Sequence, residues 1–128
     1  MRAVLDTSVL IDAPSLPPGI EAAVSAVSIA ELHFGLLAAR DADTRAERAA
    51  QLGVIEATFS SLPLDDRVAR VLGQLKAAVT NRGGNPRKRM ADLAIAATAV
   101  AHGAVLITAN AKDLAIVKDL VTCRELAD

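Results

Sequence analysis

The strongest constraint on the fold of this 128-residue chain is a pair of short apolar runs, each followed by polar residues. Residues 3–5 run directly into Asp6-Thr7-Ser8, and residues 104–108 run into Ala109 and Asn110. Short, nearly continuous apolar runs are typical of strands buried on both faces, as in a parallel sheet covered by helices. The polar residues after each run predict a turn into a helix.

The chain between these runs is mainly helical in pattern. Ile29, Leu32 and Leu36 recur at helical spacing and predict a helix opened by Ser28 that reaches about residue 40. Asp65 is placed to cap a long helix that ends near residue 82. Further helices are predicted at about 43–57 and from about 86 to 103, and a short one begins at Asn110.

Weaker strand patterns occur at residues 24–27, 59–64 and 121–123, while residues 20–24 suggest a short helical turn. Hydrophobic residues make up 52% of the chain but aromatic residues only 2%, so the core is built from small aliphatic side chains that let helices pack close to a sheet. We therefore predict one α/β domain over residues 1–128, a three-layer α/β/α sandwich with a mostly parallel sheet of four or five strands.

Two sequence features indicate the cellular compartment of the protein. Cys123 is the only cysteine, which excludes an intrachain disulfide and suits a reducing environment. Residues 93–111 carry no charge, but His102-Gly103 divides them into a helix and a strand, so they do not predict a membrane span. We expect a soluble, cytoplasmic protein with no membrane partner.

Four acids lie where such a fold places ligands. Asp6 follows the first strand, Glu31 lies early in the Ser28 helix, Asp92 lies early in an Ala-rich helix, and Asp113 follows the strand ending at Thr108. Parallel strands bring their carboxyl ends to one edge of the sheet. Carboxylates gathered there repel one another unless a cation neutralises them, and oxygen donors suit Mg²⁺ or Mn²⁺. No pair of histidines or cysteines has the spacing of a zinc site.

Each acid also has a purely structural interpretation. Asp6 is placed to cap the helix that begins at Thr7. Ser28 and Glu31 have the spacing of a capping box, and Asp113 lies in the first turn of the helix opened by Asn110. Taken singly, these positions leave both interpretations open.

A basic run precedes the helix of Asp92. Its members are Arg82, Arg87, Lys88 and Arg89, in a chain whose net charge is −1. They are candidates for contacts to a nucleic-acid backbone, and a solvated loop is the alternative. Phe34 and Phe59 are the only aromatic residues, so recognition by base stacking is not expected.

Four ordered motifs resemble those of PIN-domain nucleases: LDTS at residues 5–8, SIAEL at 28–32, ADLAIAATA at 91–99 and LITAN at 106–110. The length of the chain and the ELHFG stretch at 31–35 are most similar to VapC toxins of bacterial toxin–antitoxin pairs. The resemblance implies a Mg²⁺- or Mn²⁺-dependent endoribonuclease that hydrolyses phosphodiester bonds of tRNA or rRNA. It also implies a homodimer that a cognate VapB-type antitoxin holds inactive in a hetero-oligomer.

Carried over by position, the resemblance makes Asp6, Glu31 and Asp92 the catalytic acids that bind the metal. Asn110 stands where many relatives have aspartate, so either its amide completes the site or Asp113 does, as a helper acting through water. Thr7, Thr108 and Asn110 are the supporting residues. The Arg82–Arg89 run becomes a candidate path for the RNA backbone.

Two rival functions remain at this stage. A catalytically weak PIN-like module that acts through protein contacts is compatible with Asn110 in place of a fourth acid. A receiver-like phosphorylation domain shares the length and acidic edge, but it needs two adjacent acids after the first strand, which Asp6-Thr7-Ser8 lacks.

Overall fold

Five short strands form one parallel sheet in the computed structural model, which describes residues 1–11 and 16–126. The strand order is β3-β2-β1-β4-β5, and every neighbouring pair is parallel. The strands are β1 (Arg2–Leu5), β2 (Glu21–Ser25), β3 (Ser60–Leu62), β4 (Val105–Thr108) and β5 (Cys123–Glu125).

Helices connect these strands. They are α1 (Thr7–Ile11), α2 (Ala26–Leu37), α3 (Ala42–Thr58), α4 (Asp66–Asn81) and α5 (Met90–Ala101), with 3₁₀ segments at Pro86–Arg89 and Ala111–Val117. The chain moves outward from β1 through β2 to β3 and then returns to place β4 on the other side of β1. The strand order therefore reverses between β1 and β4, the position at which open α/β sheets bind ligands.

Side chains of the two central strands alternate between two cores. Val4 and Leu106 belong to a cluster shared with α4 and α5. Leu5 and Ile107 point to the opposite face, into a cluster shared with α1 and α3. Helices thus cover both faces of the sheet, and the predicted three-layer α/β/α sandwich with a parallel sheet is confirmed.

The most buried helix is α5, in which the seven residues from Leu93 to Ala99 are all buried. Its alanines allow this close approach to the sheet because they occupy little volume and lose no side-chain entropy in a helix. Asp92 comes directly before the buried stretch, so the packing of α5 fixes the position of its backbone.

The structure differs from the sequence prediction at β2 and α2. Residues 20–24 were expected to form a helical turn, but Glu21–Ser25 pairs with β1 as a strand. The helix expected to open at Ser28 begins at Ala26, because the side chain of Ser25 accepts a hydrogen bond from the amide of Val27 at 3.0 Å and caps it. The capping-box interpretation of Ser28 and Glu31 is therefore wrong.

Other boundaries agree with the sequence. Asp65 caps α4 by accepting a hydrogen bond from the amide of Val68 at 3.0 Å, and Asn85 caps the Pro86–Arg89 segment through the amide of Arg87. The strand pattern at residues 59–64 corresponds to β3, which lies at one edge of the sheet. The end of the first helix, predicted near Asp12, lies outside the described residues. Within the described ranges, no helix is both long and apolar enough to cross a membrane.

Candidate active site

A cavity of about 110 Å³ opens at the carboxyl edge of the sheet, where β1 and β4 end. Its lining is polar and acidic and consists of Asp6, Thr7, Ser8, Glu31, Asp92, Thr108, Asn110, Asp113 and Leu114. The structure thus brings all four acids predicted from the sequence, together with the three predicted supporting residues, around one cavity.

Asp6 is positioned by hydroxyl groups from two separate parts of the chain. Its Oδ2 accepts a hydrogen bond from Ser8 Oγ at 2.7 Å and another from Thr108 Oγ1 at 2.9 Å. Its backbone amide donates to the carbonyl of Ile107 at 2.8 Å, which ties the turn after β1 to β4. Within the described residues, the carboxylate accepts no amide of α1, so the capping interpretation is wrong for its side chain.

Ser8 is a member of this site that the sequence prediction missed. Its hydroxyl donates to Asp6 and accepts a hydrogen bond from the amide of Ala109 at 3.1 Å, so it joins the two strand ends. The available signal was its position two residues after Asp6 in the LDTS motif. That spacing allows a side-chain contact across a turn.

Glu31 reaches the cavity from α2. Because the helix begins at Ala26, Glu31 lies in its second turn, beyond the reach of the helix cap. Thr7 Oγ1 donates to Glu31 Oε1 at 2.7 Å and lies 3.0 Å from the oxygen of the buried Ser28. A threonine at the start of α1 therefore holds the carboxylate of α2 at the cavity.

The carboxylates of Asp92 and Asp113 both lie near the guanidinium of Arg89. Arg89 Nη1 lies 4.0 Å from Asp92 Oδ2, and Arg89 Nη2 lies 3.4 Å from Asp113 Oδ1. Burial raises the pKa of Asp92, and the carboxylates of Asp6, Asp113 and Glu31 raise it further, while Arg89 acts in the opposite direction. The three other acids of the cavity therefore all lie near enough to Asp92 to disfavour its charged form.

The two candidates for completing the site occupy different positions. The backbone amide of Asn110 donates to Thr108 Oγ1 at 3.1 Å, and its side chain makes no capping hydrogen bond. Asp113 follows one turn later in the second 3₁₀ segment, and its side chain is 27% exposed. Both line the cavity, but Asp113 brings the negative charge.

The donor set fits a hydrated divalent cation. Within residues 1–11 and 16–126, no three acidic, histidine or cysteine side chains lie close enough together to ligate an ion directly. The cavity of about 110 Å³ has room for a few water molecules between the carboxylates. Carboxylate oxygens supplemented by water are the ligands that Mg²⁺ prefers.

The basic run is divided by the structure. Arg82 forms a bidentate ion pair with Asp119 at 2.7 and 3.1 Å and also donates to the carbonyl of Ile116. Arg87 and Lys88 are exposed in the first 3₁₀ segment, and Arg89 faces the acidic cavity. The four residues therefore do not form one continuous basic surface.

Comparison with known proteins gives concordant findings. The family model of the PIN domain matches residues 3–120. The chain is 38% identical to Ribonuclease VapC5 of Mycobacterium tuberculosis over 113 residues, which cover 82% of this chain and 80% of that protein. It is 34% identical to Ribonuclease VapC4 of the same organism over 125 residues, which cover 93% of each.

Among solved structures, a crystal structure of VapBC-5 from Mycobacterium tuberculosis, a member of the VapBC family of toxin–antitoxin systems, superposes with a TM-score of 0.82 and 34% identity. The superposition covers 99% of this chain and 98% of the matched chain. The similarity therefore extends over every element that contributes to the acidic cavity.

Proposed function

The chain belongs to the PIN domain family and is a VapC-type ribonuclease, and we propose that its acidic cavity cleaves RNA with a bound Mg²⁺ or Mn²⁺ ion. The observation that carries this proposal is the convergence of Asp6, Glu31 and Asp92 on one cavity from three separate parts of the chain. Family membership removes the receiver-like alternative.

We assign the cation to Asp6 and Asp92, with Glu31 as a further ligand that acts through a bound water, because no three described acids lie close enough together to ligate an ion directly. When bound, such a cation lowers the pKa of a water molecule and stabilises charge on the phosphate. Ser8 and Thr108 fix the rotamer of Asp6 by donating to one of its oxygens, which leaves Oδ1 free of hydrogen bonds among the described residues. Thr7 orients Glu31 in the same way.

Asp113 has a supporting role in this proposal. Among the described residues no hydroxyl group donates to it, and its partner is the half-exposed side chain of Arg89 rather than a backbone group. An acid placed in this way suits contact with a water molecule better than direct ligation. We therefore retain Asp113 as a helper and Asn110 as a backbone support for Thr108.

The test is cleavage of structured RNAs in Mn²⁺ and in EDTA. We expect cleavage by the wild-type protein only with the ion, and none by Asp6→Asn or Asp92→Asn. Asp119→Asn, which removes a carboxylate that pairs with Arg82, is the matched control and should cleave like the wild type. Equal cleavage by Asp6→Asn and the wild type would overturn the assignment. A wild type that binds the ion and never cuts would favour the catalytically weak module.

We further propose that the VapB-type antitoxin of this chain occupies a groove between α1, α2 and α3. The groove has a volume of about 310 Å³ and is lined by both polar and apolar side chains, and the apolar ones include Ile11, which is 52% exposed. Thr7 and Glu31 line both this groove and the acidic cavity, so a segment bound in the groove would lie against the catalytic acids. The matched VapBC structure supports a partner of this kind.

Co-purification with a VapB-type antitoxin tests the groove. Ile11→Asp should weaken the complex, and Leu120→Asp, which changes an apolar residue of similar exposure in the turn after the second 3₁₀ segment, should not. If both variants co-purify with equal amounts of antitoxin, the antitoxin binds outside this groove. We also propose that the protein is a homodimer located in the cytoplasm. Light scattering of the purified protein measures its oligomeric state.

A further inference from the structure

The guanidinium of Arg89 occupies a position that the basic run did not predict. Arg89 lies at the junction of the first 3₁₀ segment and α5, and it contacts Asp92 three residues ahead and Asp113 from the second 3₁₀ segment. Arg87 and Lys88 belong to the same segment, but neither forms an ion pair with a described residue. In the described chain, Arg89 is the cation that neutralises the cavity.

Arg89 pairs with two carboxylates that also belong to the proposed site of the divalent ion. Asp92 is one of the two acids assigned to the divalent ion, and Asp113 is the proposed helper. The side chains are 49% exposed for Arg89, 37% for Asp92 and 27% for Asp113, so the guanidinium is free to move into solvent while the acids are more enclosed. The contacts, at 3.4 and 4.0 Å, are ion pairs, so a divalent ion that binds the same carboxylates competes with the guanidinium for their negative charge.

We propose that Arg89 is an exchangeable counter-ion of the cavity, which neutralises Asp92 and Asp113 without a divalent ion and is displaced toward the RNA phosphate when the ion binds. The second half rests on the proposed ribonuclease function, and the first does not. After displacement, the guanidinium is beside the cavity in which the phosphodiester is cut. Its planar donors match phosphate oxygens, and it supplies charge that neither Arg87 nor Lys88 brings to this position.

The affinity of the protein for Mn²⁺ tests whether Arg89 and the divalent ion exchange at the carboxylates, without any RNA. Isothermal titration with Mn²⁺ should show that Arg89→Gln binds the ion about three- to tenfold more tightly than the wild type, the range expected for removing one or two exposed ion pairs that compete with it. Arg87→Gln, with the same loss of charge two residues away, should match the wild type. Unchanged or weaker Mn²⁺ binding by Arg89→Gln would overturn the exchange.

Single-turnover cleavage tests the displaced state. At saturating Mn²⁺, Arg89→Gln should cut RNA at least tenfold more slowly despite its tighter ion binding, and Arg89→Lys should recover part of the rate because it restores charge without the planar donors. Arg87→Gln should change only the RNA concentration needed for half-maximal rate. A wild-type rate for Arg89→Gln would refute the phosphate contact. Failure of the wild type to cut RNA would refute the proposed function while leaving the Mn²⁺ result to decide the exchange.

Discussion

The hydroxyl of Thr108 offers the sharpest test of how the fold positions its central acid. Thr108 is 2% exposed; it donates to Asp6 Oδ2 at 2.9 Å and accepts from the amide of Asn110 at 3.1 Å. Thr108→Val keeps the shape of the side chain and removes both hydrogen bonds. The bond to the carboxylate is the stronger of the two, since a hydrogen bond to a charged group contributes about 1.5–3 kcal/mol, so we expect the free energy of unfolding to fall by at least about that amount.

For a chain of 128 residues, that loss corresponds to a melting temperature lower by roughly 6–11 °C. Circular dichroism melts in EDTA measure it without interference from a divalent ion. Thr98→Val is the matched control, because Thr98 is fully buried but its hydroxyl donates to a neutral helix carbonyl, that of Ala94, at 2.9 Å. We expect a smaller loss there, about 0.5–1.5 kcal/mol.

The charge on Asp6 makes this prediction specific. In an Asp6→Asn background, Thr108→Val should cost at least about 1 kcal/mol less, since the coupling between two contacting groups is lost with the first substitution. RNA cleavage by Thr108→Val should also slow, because Asp6 loses one of the two hydroxyls that set its rotamer. The same stability loss in both backgrounds would refute the argument that Thr108 acts through the carboxylate.

Three further substitutions test the electrostatics and packing. In EDTA at pH 7, the free energy of unfolding of Asp92→Asn should equal that of the wild type or exceed it by up to about 1 kcal/mol, because relief from repulsion offsets the lost pairing with Arg89. A clearly lower melting temperature would contradict this. Arg87→Gln should reduce the slope of log binding constant against log salt for RNA by roughly 1, whereas Arg82→Gln, whose guanidinium Asp119 already binds, should leave the slope unchanged. Gly84→Ala should destabilise the fold by about 1–3 kcal/mol, since the added Cβ would lie 2.8 Å from side-chain carbons of two neighbouring residues. Gly53→Ala, in open space on α3, should stabilise the fold by about 0.5–1 kcal/mol. Equal melting temperatures for the two variants would show that the Gly84 contact relaxes freely.

The elements that could be predicted from the sequence are those whose pattern depends on burial on both faces or on local spacing. The strands β1 and β4 are buried on both faces, so their apolar runs are unambiguous, and the cap at Asp65 depends on local spacing alone. By contrast, β2 is rich in alanine and has no strong preference of its own. It forms a strand because Val4 and Leu5 of β1 pair with Ala23 and Val24, an interaction between distant segments.

The same distinction holds at the cavity. The acids were predictable because each follows a strand or lies early in a helix, and the topology then brings these positions to one edge. The contacts that orient them were not predictable. Ser8 reaches Asp6 across a turn, and Arg89 reaches Asp113 across 24 residues of sequence, and both depend on side-chain positions that exist only after folding.

The arrangement of charge implies that the fold and the ion site are thermodynamically linked. Four carboxylates share a small cavity, and the chain offsets their repulsion with the hydroxyls of Thr7, Ser8 and Thr108 and with one guanidinium. The hydroxyls orient their acids by hydrogen bonds, whereas the half-exposed guanidinium is the counter-ion that we propose to be exchangeable. A cation that binds only the folded chain raises its stability by mass action, so removing the guanidinium that competes for the acids should make stability depend more steeply on divalent ion concentration. Removing a hydroxyl should have the opposite effect, since the acid that it orients would then bind the ion more weakly.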